Sequence, residues 1–327
     1  MTNHMRVLAC CAGVMLPAVH VSAEVKVDKV TCLGLPNCYR LSNGVVEVVV
    51  TTDIGPRIIR YGFAGGDNML AEMPPTKKPD PAKWEVWGGH RLWTAPEAMP
   101  RSYAPDNSSI EHRQEGASGI RLTQPVEQST GIQKEIVVTL SPSGTDVTVL
   151  HRLTNRNLWA IEVAAWGLTV MRGCGTAIVP QEPYKSHDDA LLPARPMTLW
   201  SYTNLADPRW QIGPKYIRLS TKTSMKESQK VGVMNKVGWA AYALAGTLFV
   251  KRIPFEEGAS YPDFGSNTEV YTAGDFIEVE SLGPMRRLEP NQATEHVERW
   301  ALHRNVQIGK TEQEVEAALK PVLVSLR

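Results

Sequence analysis

Short β-branched runs recur between turn signals along most of this chain. Among them are GVVEVVVTTD from position 44, GIRLTQPVE from 119, IQKEIVVTLSPSG from 132, TDVTVLHRLTN from 145 and AIEVAAWGLTVM from 160. KYIRLST from 215, KVGVMN from 230 and GWAAYALAGTLFVKRI from 238 continue the series. Apolar and β-branched residues in short runs bounded by Gly, Pro and Asn predict an all-β protein, a large sandwich of antiparallel strands. A helical period emerges only in the tail. Thr311 and Glu314 form a capping box opening EQEVEAALK, and Pro321 is expected to limit that short C-terminal helix. Two stretches, 72–110 and 180–215, are rich in Pro, Trp, Tyr and Asp. They read as long loops, where a β scaffold carries its binding sites. No repeat, low-complexity tract or linker-like break divides residues 24–327, which are expected to form a single domain.

The alternation in YPDFGSNTEVYTAGDFIEVESLGP (261–284) is the most informative. With Ala273-Gly274 as a two-residue turn, Thr272 pairs with Asp275, Glu269 with Glu278 and Asn267 with Glu280. Asn267, Glu269, Tyr271, Phe276, Glu278 and Glu280 then share one face, and Val270, Ile277 and Val279 form the core side. A turn one residue longer would send the second strand's glutamates to the other face. Three carboxylates on one face repel one another unless water, cations or a hydroxyl-rich ligand compensates. The face is therefore either plainly solvated or the floor of a cleft, and Tyr261, Phe264 and Tyr271 nearby suit a cleft that grips sugars.

WEVWGGHRLWTAPE (84–97) supplies the complementary charge. Gly88-Gly89 lets the backbone bend, so that His90 and Arg91 project into the cleft with a tryptophan such as Trp93 as stacking platform. Arg91 suits ligand oxygens or a glutamate, and His90 suits proton transfer near neutrality. In the competing reading Arg91 pairs with Glu97 and the tryptophans are core.

The composition, 327 residues with 43% hydrophobic and 21% charged, excludes a disordered chain. Residues 1–23 read as a secretory leader: Arg6, an apolar stretch from Val7 to Val19 broken by Pro17, and Val21-Ser22-Ala23 before a mature start near Glu24. A lipid-anchored Cys10 is the lesser alternative, because the apolar stretch before it is short. A periplasmic or secreted location follows. No later run reaches the roughly 20 apolar residues of a membrane span, so no membrane insertion is expected. Removing the leader takes one cation from a net charge of +1 and leaves zero, which favours neither nucleic acid nor an anionic membrane as partner. A monomer is expected. Cleavage would leave Cys32, Cys38 and Cys174. In an oxidising compartment CLGLPNC suggests a Cys32–Cys38 disulfide, with Cys174 a free thiol.

No histidine pair has metal-ligand spacing, and the SHDD cluster at 186–189, with Asp188 and Asp189 as weak calcium candidates, reads as a loop turn. No metal and no cofactor are expected. There is no GxSxG elbow, phosphate loop or GxGxxG.

Taken together, TTDIGPRIIRYGF (51–63), GGHRLWTAPE (88–97), ARPMTLWSYTNLADPRW (194–210) and the stretch 236–284 resemble the galactose mutarotase-like superfamily, within an uncharacterised branch of secreted proteins. The resemblance covers nearly the whole mature chain. It implies a β-supersandwich with a carbohydrate-facing groove, as in aldose 1-epimerases and related domains of polysaccharide lyases and glycoside hydrolases. In aldose 1-epimerases a late-strand glutamate takes the anomeric proton and a mid-chain histidine protonates the ring oxygen. Glu280 resembles that base by position, and His90 and Arg91 resemble the early sugar-binding residues. The mid-chain Asn-His motif is absent, Arg156 standing in that stretch. His90, Lys236 or Lys251 are left as candidate acids. The resulting site is Glu280 and His90 as catalytic groups, with Arg91, Trp93, Glu269, Glu278, Asn267, Tyr261 and Lys251 binding a sugar or oligosaccharide. The function is an aldose 1-epimerase-like isomerase, a non-catalytic carbohydrate-binding protein, or a lyase- or hydrolase-like accessory of polysaccharide breakdown.

Overall fold

The computed structural model describes residues 24–77 and 79–324. Residues 1–23, expected as a secretory leader, lie outside the described residues. Two large antiparallel sheets face each other. The first runs, in spatial order, Lys26–Cys32, Leu35–Ser42, Val46–Thr51, Arg57–Phe63, Gly89–Ala95, Ile161–Arg172, Phe276–Leu282, Thr268–Thr272, Gln229–Val233 and Met197–Leu199, with Arg286–Leu288 beside Ile161–Arg172. The second runs Trp210–Ile212, Tyr216–Ser220, Thr176–Pro180, Trp239–Leu244, Thr247–Arg252, Ala293–Arg304, Val147–Asn155, Ile132–Leu140, Gly119–Thr123 and Glu111–Glu115.

The alternating positions explain the assembly. Val48, Val50, Ile58, Leu92, Val270, Ile277 and Val279 from the first sheet meet Ile136, Val138, Val149, Tyr242, Phe249 and Trp300 from the second in one buried core. Each such large side chain contributes about 1.5–3 kcal/mol on leaving water. The C-terminal helix Glu312–Val324 lays Val315, Leu319 and Val322 against the outer side of the second sheet, over Ile178, Ala241 and Val250. Thr311 and Glu314 exchange the two capping-box hydrogen bonds, at 2.9 and 3.3 Å. Pro321 does not stop this helix, which runs on to Val324.

Two expectations are corrected by local geometry. GGHRLWTAPE is not a projecting loop: Gly89–Ala95 is a strand buried along its whole length. The double bend before it is nevertheless real. Gly88 and Gly89 have φ of 73° and 69°, and a Cβ on either would lie 2.1 Å from the Ala71 carbonyl oxygen or 2.3 Å from that of Ile58. CLGLPNC, in turn, holds a hairpin turn at Leu33-Gly34 with a second strand starting at Leu35. That register pairs Cys32 with Leu35 and Cys38 with Val30, so the two sulfurs are not cross-strand partners and both cysteines are free thiols.

Candidate functional site

Five neighbouring strands of the first sheet, Gly89–Ala95, Ile161–Arg172, Phe276–Leu282, Thr268–Thr272 and Gln229–Val233, build the site. Because successive strand residues point to opposite faces, one face presents Arg91, Trp93, Trp166, Leu168, Glu278, Tyr271 and Lys230 to a cleft of about 420 Å³. The two long loops wall it: Trp84, Glu97 and Tyr103 come from the first, Trp200 and Tyr202 from the second.

The central hairpin pairs Glu269 with Glu280 and Tyr271 with Glu278, and Thr272 with Ile277. The loop is thus two residues longer than a two-residue turn. Because the shift is even, Glu269, Glu278 and Glu280 remain on one face, and Val270 and Val279 stay in the core behind them. Lys230 Nζ lies 2.7 Å from Glu269 Oε2 and 3.1 Å from Glu280 Oε2, and is held between the Trp166 and Trp200 rings at 4.7 Å from each centroid. Trp166 Nε1 donates to Glu280 Oε2 at 2.9 Å. Arg91 stacks on Trp93 at 4.5 Å and on Trp84 at 5.2 Å, with Nη2 3.5 Å from Glu278 Oε1. The pairing with Glu97 is therefore not formed. Glu278 edges the cleft. Glu269 and Glu280 lie sealed beneath Lys230 and Trp166.

Burial pushes the Glu278 carboxyl up to about 7, against the pull of Arg91 and with the push of Glu280. Burial also holds Glu269 well above the usual carboxylate range despite Lys230, and raises Asp263. Burial works against the Lys230 ammonium, but Glu269 and Glu280 outweigh it and hold that group well above its ordinary value. The cleft therefore joins a fixed cation, an always-charged guanidinium and a carboxyl that changes charge near neutrality. Among the described residues, buried Arg91 Nε and Nη1, Trp84 Nε1 and Glu280 Oε1 have no hydrogen-bond partner.

His90 is not in the cleft. It follows Gly89 and precedes Arg91 in a strand, so it faces inward, fully buried between the sheets. There Lys251 Nζ donates to Thr169 Oγ1 at 2.6 Å, to the Val279 carbonyl at 2.9 Å and to Glu298 Oε1 at 2.9 Å. His90 Nδ1 lies 2.8 Å from Thr169 Oγ1, its Nε2 lies 2.6 Å from His151 Nε2, and His151 Nδ1 lies 3.0 Å from the His296 carbonyl. The carbonyl accepts only, which makes His151 Nδ1 the donor and its Nε2 an acceptor of the His90 Nε2 proton. His90 Nδ1 then accepts from Thr169. Ser281 bridges His296 Nε2, at 2.7 Å, and Glu298, and Trp300 Nε1 donates to Glu298 Oε2 at 2.7 Å. One ring nitrogen each of His90 and His151 and a Glu298 oxygen lie within 4.8 Å of one another, close enough to suggest a cation site. The geometry fits a hydrogen bond instead: two nitrogens bound tetrahedrally to zinc stand about 3.3 Å apart, and these are closer. Burial lowers His90 well below its ordinary value, lowers His151 and takes His296 to about 3. Burial alone would raise Glu298; Lys251 and the histidines override it and hold that group far below the carboxylate range.

Other expected site residues separate in the same way. Lys251 belongs to this inner network. Asn267 ties Asn235 through bonds of 2.6 and 3.1 Å, and Tyr261 stacks on Phe255 while its hydroxyl accepts from the Glu256 amide at 2.9 Å. Neither lines the cleft. Lys236 pairs with Glu257, also away from it. Lys230, Trp166, Trp200, Tyr202 and Tyr103 are among the cleft residues the motif reading did not assign. Lys230 was legible in KVGVMN as a cation alternating with inward valines.

No protein-family model matches the chain, and none of the curated proteins is similar to it in sequence. Solved structures are. A galactose mutarotase-like protein from Lactobacillus casei is 11% identical with a TM-score of 0.52, over 82% of this chain and 100% of that one. A galactose mutarotase-like protein from Clostridium acetobutylicum is 10% identical with a TM-score of 0.52, over 86% and 99%. A TPR-domain containing protein from Parabacteroides distasonis is 13% identical with a TM-score of 0.54, over 84% of this chain and 49% of that one, so this chain spans about half its length. The chain has the galactose mutarotase-like β-sandwich fold.

Proposed function

We propose that the protein binds a sugar in the aromatic-walled cleft and isomerises it in the manner of an aldose 1-epimerase, with Glu278 as the proton-transferring group. The observation that carries this reading is a carboxyl pushed up to about 7 at the edge of a cleft walled by Trp84, Trp93, Trp166 and Trp200. Aromatic faces suit the C–H faces of a pyranose, and Arg91, Lys230 and Glu278 suit its hydroxyls. As a carboxylate, Glu278 accepts the anomeric hydroxyl proton while the C1–ring oxygen bond breaks, and the Lys230 ammonium is the donor that faces the oxygen gaining charge. Reclosure on the other carbonyl face returns the proton. Glu280, the position that resembles the epimerase base, acts through Lys230 in this reading, because it does not line the cleft.

Anomer-exchange NMR on a sugar retained in a glycan screen tests this. Glu278→Gln should keep affinity and lose about 10²- to 10⁴-fold in exchange rate. Unchanged exchange contradicts the assignment. A second reading, binding without catalysis, is favoured by one feature: no histidine is among the residues lining the cleft. A wild type that binds sugars and exchanges none establishes it. In either reading we place the protein outside the cytoplasm on the strength of residues 1–23. Mass spectrometry of exported protein should find an N-terminus close to Glu24, and a retained leader or a lipid on Cys10 contradicts that placement.

A further inference from the structure

Arg57, Arg91 and Lys230 share the cleft face of the first sheet, and two of these cations are balanced. Arg57 Nη2 donates to both oxygens of Asp106, at 2.8 and 2.7 Å. Lys230 Nζ lies between Glu269 and Glu280, at 2.7 and 3.1 Å. Arg91, the register partner of Arg57, is the exception. Its side chain is 4% exposed, and no acceptor among the described residues hydrogen-bonds its guanidinium. Its one ion pair, with Glu278, is 3.5 Å long. Burial pushes that carboxyl up to about 7, so at neutral pH about half of the molecules leave Arg91 with no negative charge facing it.

A buried guanidinium without a counter-ion is unfavourable. Trp84 and Trp93 hold it in place, at 5.2 and 4.5 Å, with its N–H donors unused. A carboxylate matches such a fork with two parallel bonds and supplies the missing charge, whereas a sugar hydroxyl supplies one acceptor and no charge.

Strand order fixes where on the sugar that carboxylate belongs. Arg91 reaches Glu278 from the Gly89–Ala95 strand on one side of Phe276–Leu282, and Lys230 approaches from the Gln229–Val233 strand on the other. Glu278 therefore stands between the two cations. With Glu278 at the anomeric hydroxyl and Lys230 at the ring oxygen, Arg91 faces the far side of the anomeric carbon. A carboxylate borne on that carbon sits beside the anomeric hydroxyl, as Arg91 sits beside Glu278. A uronate carries its carboxylate on C5, beyond the ring oxygen, and would direct it towards Lys230, which already has two glutamates.

We propose that the sugar taken by the cleft is a ulosonic acid, whose anomeric carbon bears a carboxylate, and that Arg91 binds this carboxylate. The inference rests on the epimerase reading of the cleft and names its substrate class.

Calorimetric titration of wild type tests it with N-acetylneuraminate and deoxyoctulosonate, with glucuronate and galacturonate, with glucose, galactose and hexose phosphates, and with the methyl ester of N-acetylneuraminate. The two ulosonates should bind about 10- to 100-fold more tightly than the neutral sugars, the gain of a charge-assisted pair. The methyl ester removes the charge and leaves the protein untouched, so it should lose that gain whether or not any Arg91 variant folds. Arg91→Met keeps an apolar stem against the tryptophans and should bring the ulosonates down to the affinity of the ester, while Arg91→Lys should restore only part. Ester and acid bound equally, or neutral sugars bound as tightly as ulosonates, overturns the class and leaves the cleft as a sugar site. Uronates or hexose phosphates bound as tightly as the ulosonates overturn the anomeric position. Binding to other glycans with none to the ulosonates also overturns the class alone, and absence of binding to every sugar overturns the cleft reading with it.

Discussion

The same strands carry two polar clusters on opposite faces, and the two are finished differently. Arg91 and His90 are neighbours in one strand, as are Glu280 and Ser281 in another; the first of each pair belongs to the cleft face and the second to the inter-sheet network. In the inner network the Lys251 ammonium makes three bonds, Glu298 is bound on both oxygens, and none of its members has a buried side-chain polar atom without a partner. On the cleft side, buried donors of Arg91 and Trp84 and an oxygen of Glu280 are left unpaired, and like charges crowd beneath Lys230. A closed set of hydrogen bonds has nothing to offer a ligand, whereas unpaired groups beside an aromatic-walled opening do. The cluster richest in histidine is thus architecture. The one poorest in it is the proposed site.

Removing one charged group from each side gives the largest expected effect. Lys251→Met leaves Glu298 buried without its partner and should cost about 3–5 kcal/mol in chemical unfolding. Glu278→Gln removes a crowded carboxyl instead. It should stabilise the protein at pH 8 by on the order of 1 kcal/mol, since the wild-type group is held ionised there against its raised value. Equal destabilisation by both would break the comparison.

Acid titration sharpens it. The three inner histidines have folded-state values lowered below the unfolded one, so their contribution is present above about pH 6.5 and lost as pH falls towards the value of about 3 at His296. Glu278 works the other way: raised to about 7, its contribution is present below the unfolded value of about 4.5 and lost as pH rises through 7. Between these limits the two faces oppose each other. Unfolding midpoints measured from pH 7.5 to 4.5 should therefore fall more steeply in Glu278→Gln than in wild type, by about 1.4 kcal/mol per pH unit at most. Parallel curves would show that Glu278 does not titrate in that window.

The smallest effect concerns the thiols. Burial pushes Cys38 up to about 12, while Cys174 is exposed. Labelling of the folded, non-reduced protein should mark Cys174 first and leave Cys38 unlabelled. An intact mass two protons lower, with neither Cys32 nor Cys38 labelled after unfolding, would show a bridge that the structure does not contain.

Much of the fold was legible because alternation reports faces. The runs at 132–140, 147–155 and 161–172 became strands with their apolar positions inward, and the capping box at Thr311 began the helix. The carboxylates of 269, 278 and 280 reached one face even though the turn was longer than a two-residue turn, because an even register shift preserves faces. What failed was the treatment of 88–97 as a loop. Alternation applied there would have sent His90 inward and Arg91 outward, and the same count places His151 among Val147, Val149 and Leu153 and Glu298 between His296 and Trp300, all inward. Trp200 and Tyr202 lie in a loop that has no period, so only their aromatic character marked them. The meeting of Lys230 with Glu269 and Glu280 depends on strand order, which no local pattern encodes.

The central claim is that the cleft face, and not the histidine-rich interior, is where this protein meets a sugar. The most direct measurement is a glycan array probed in parallel with wild type and Tyr202→Ala, a half-exposed cleft residue whose loss should leave the fold intact. Saturable binding to a defined set of glycans, weakened about tenfold or more by Tyr202→Ala, is the predicted result. Retention of no glycan by the wild type, or equal retention by both proteins, would contradict it.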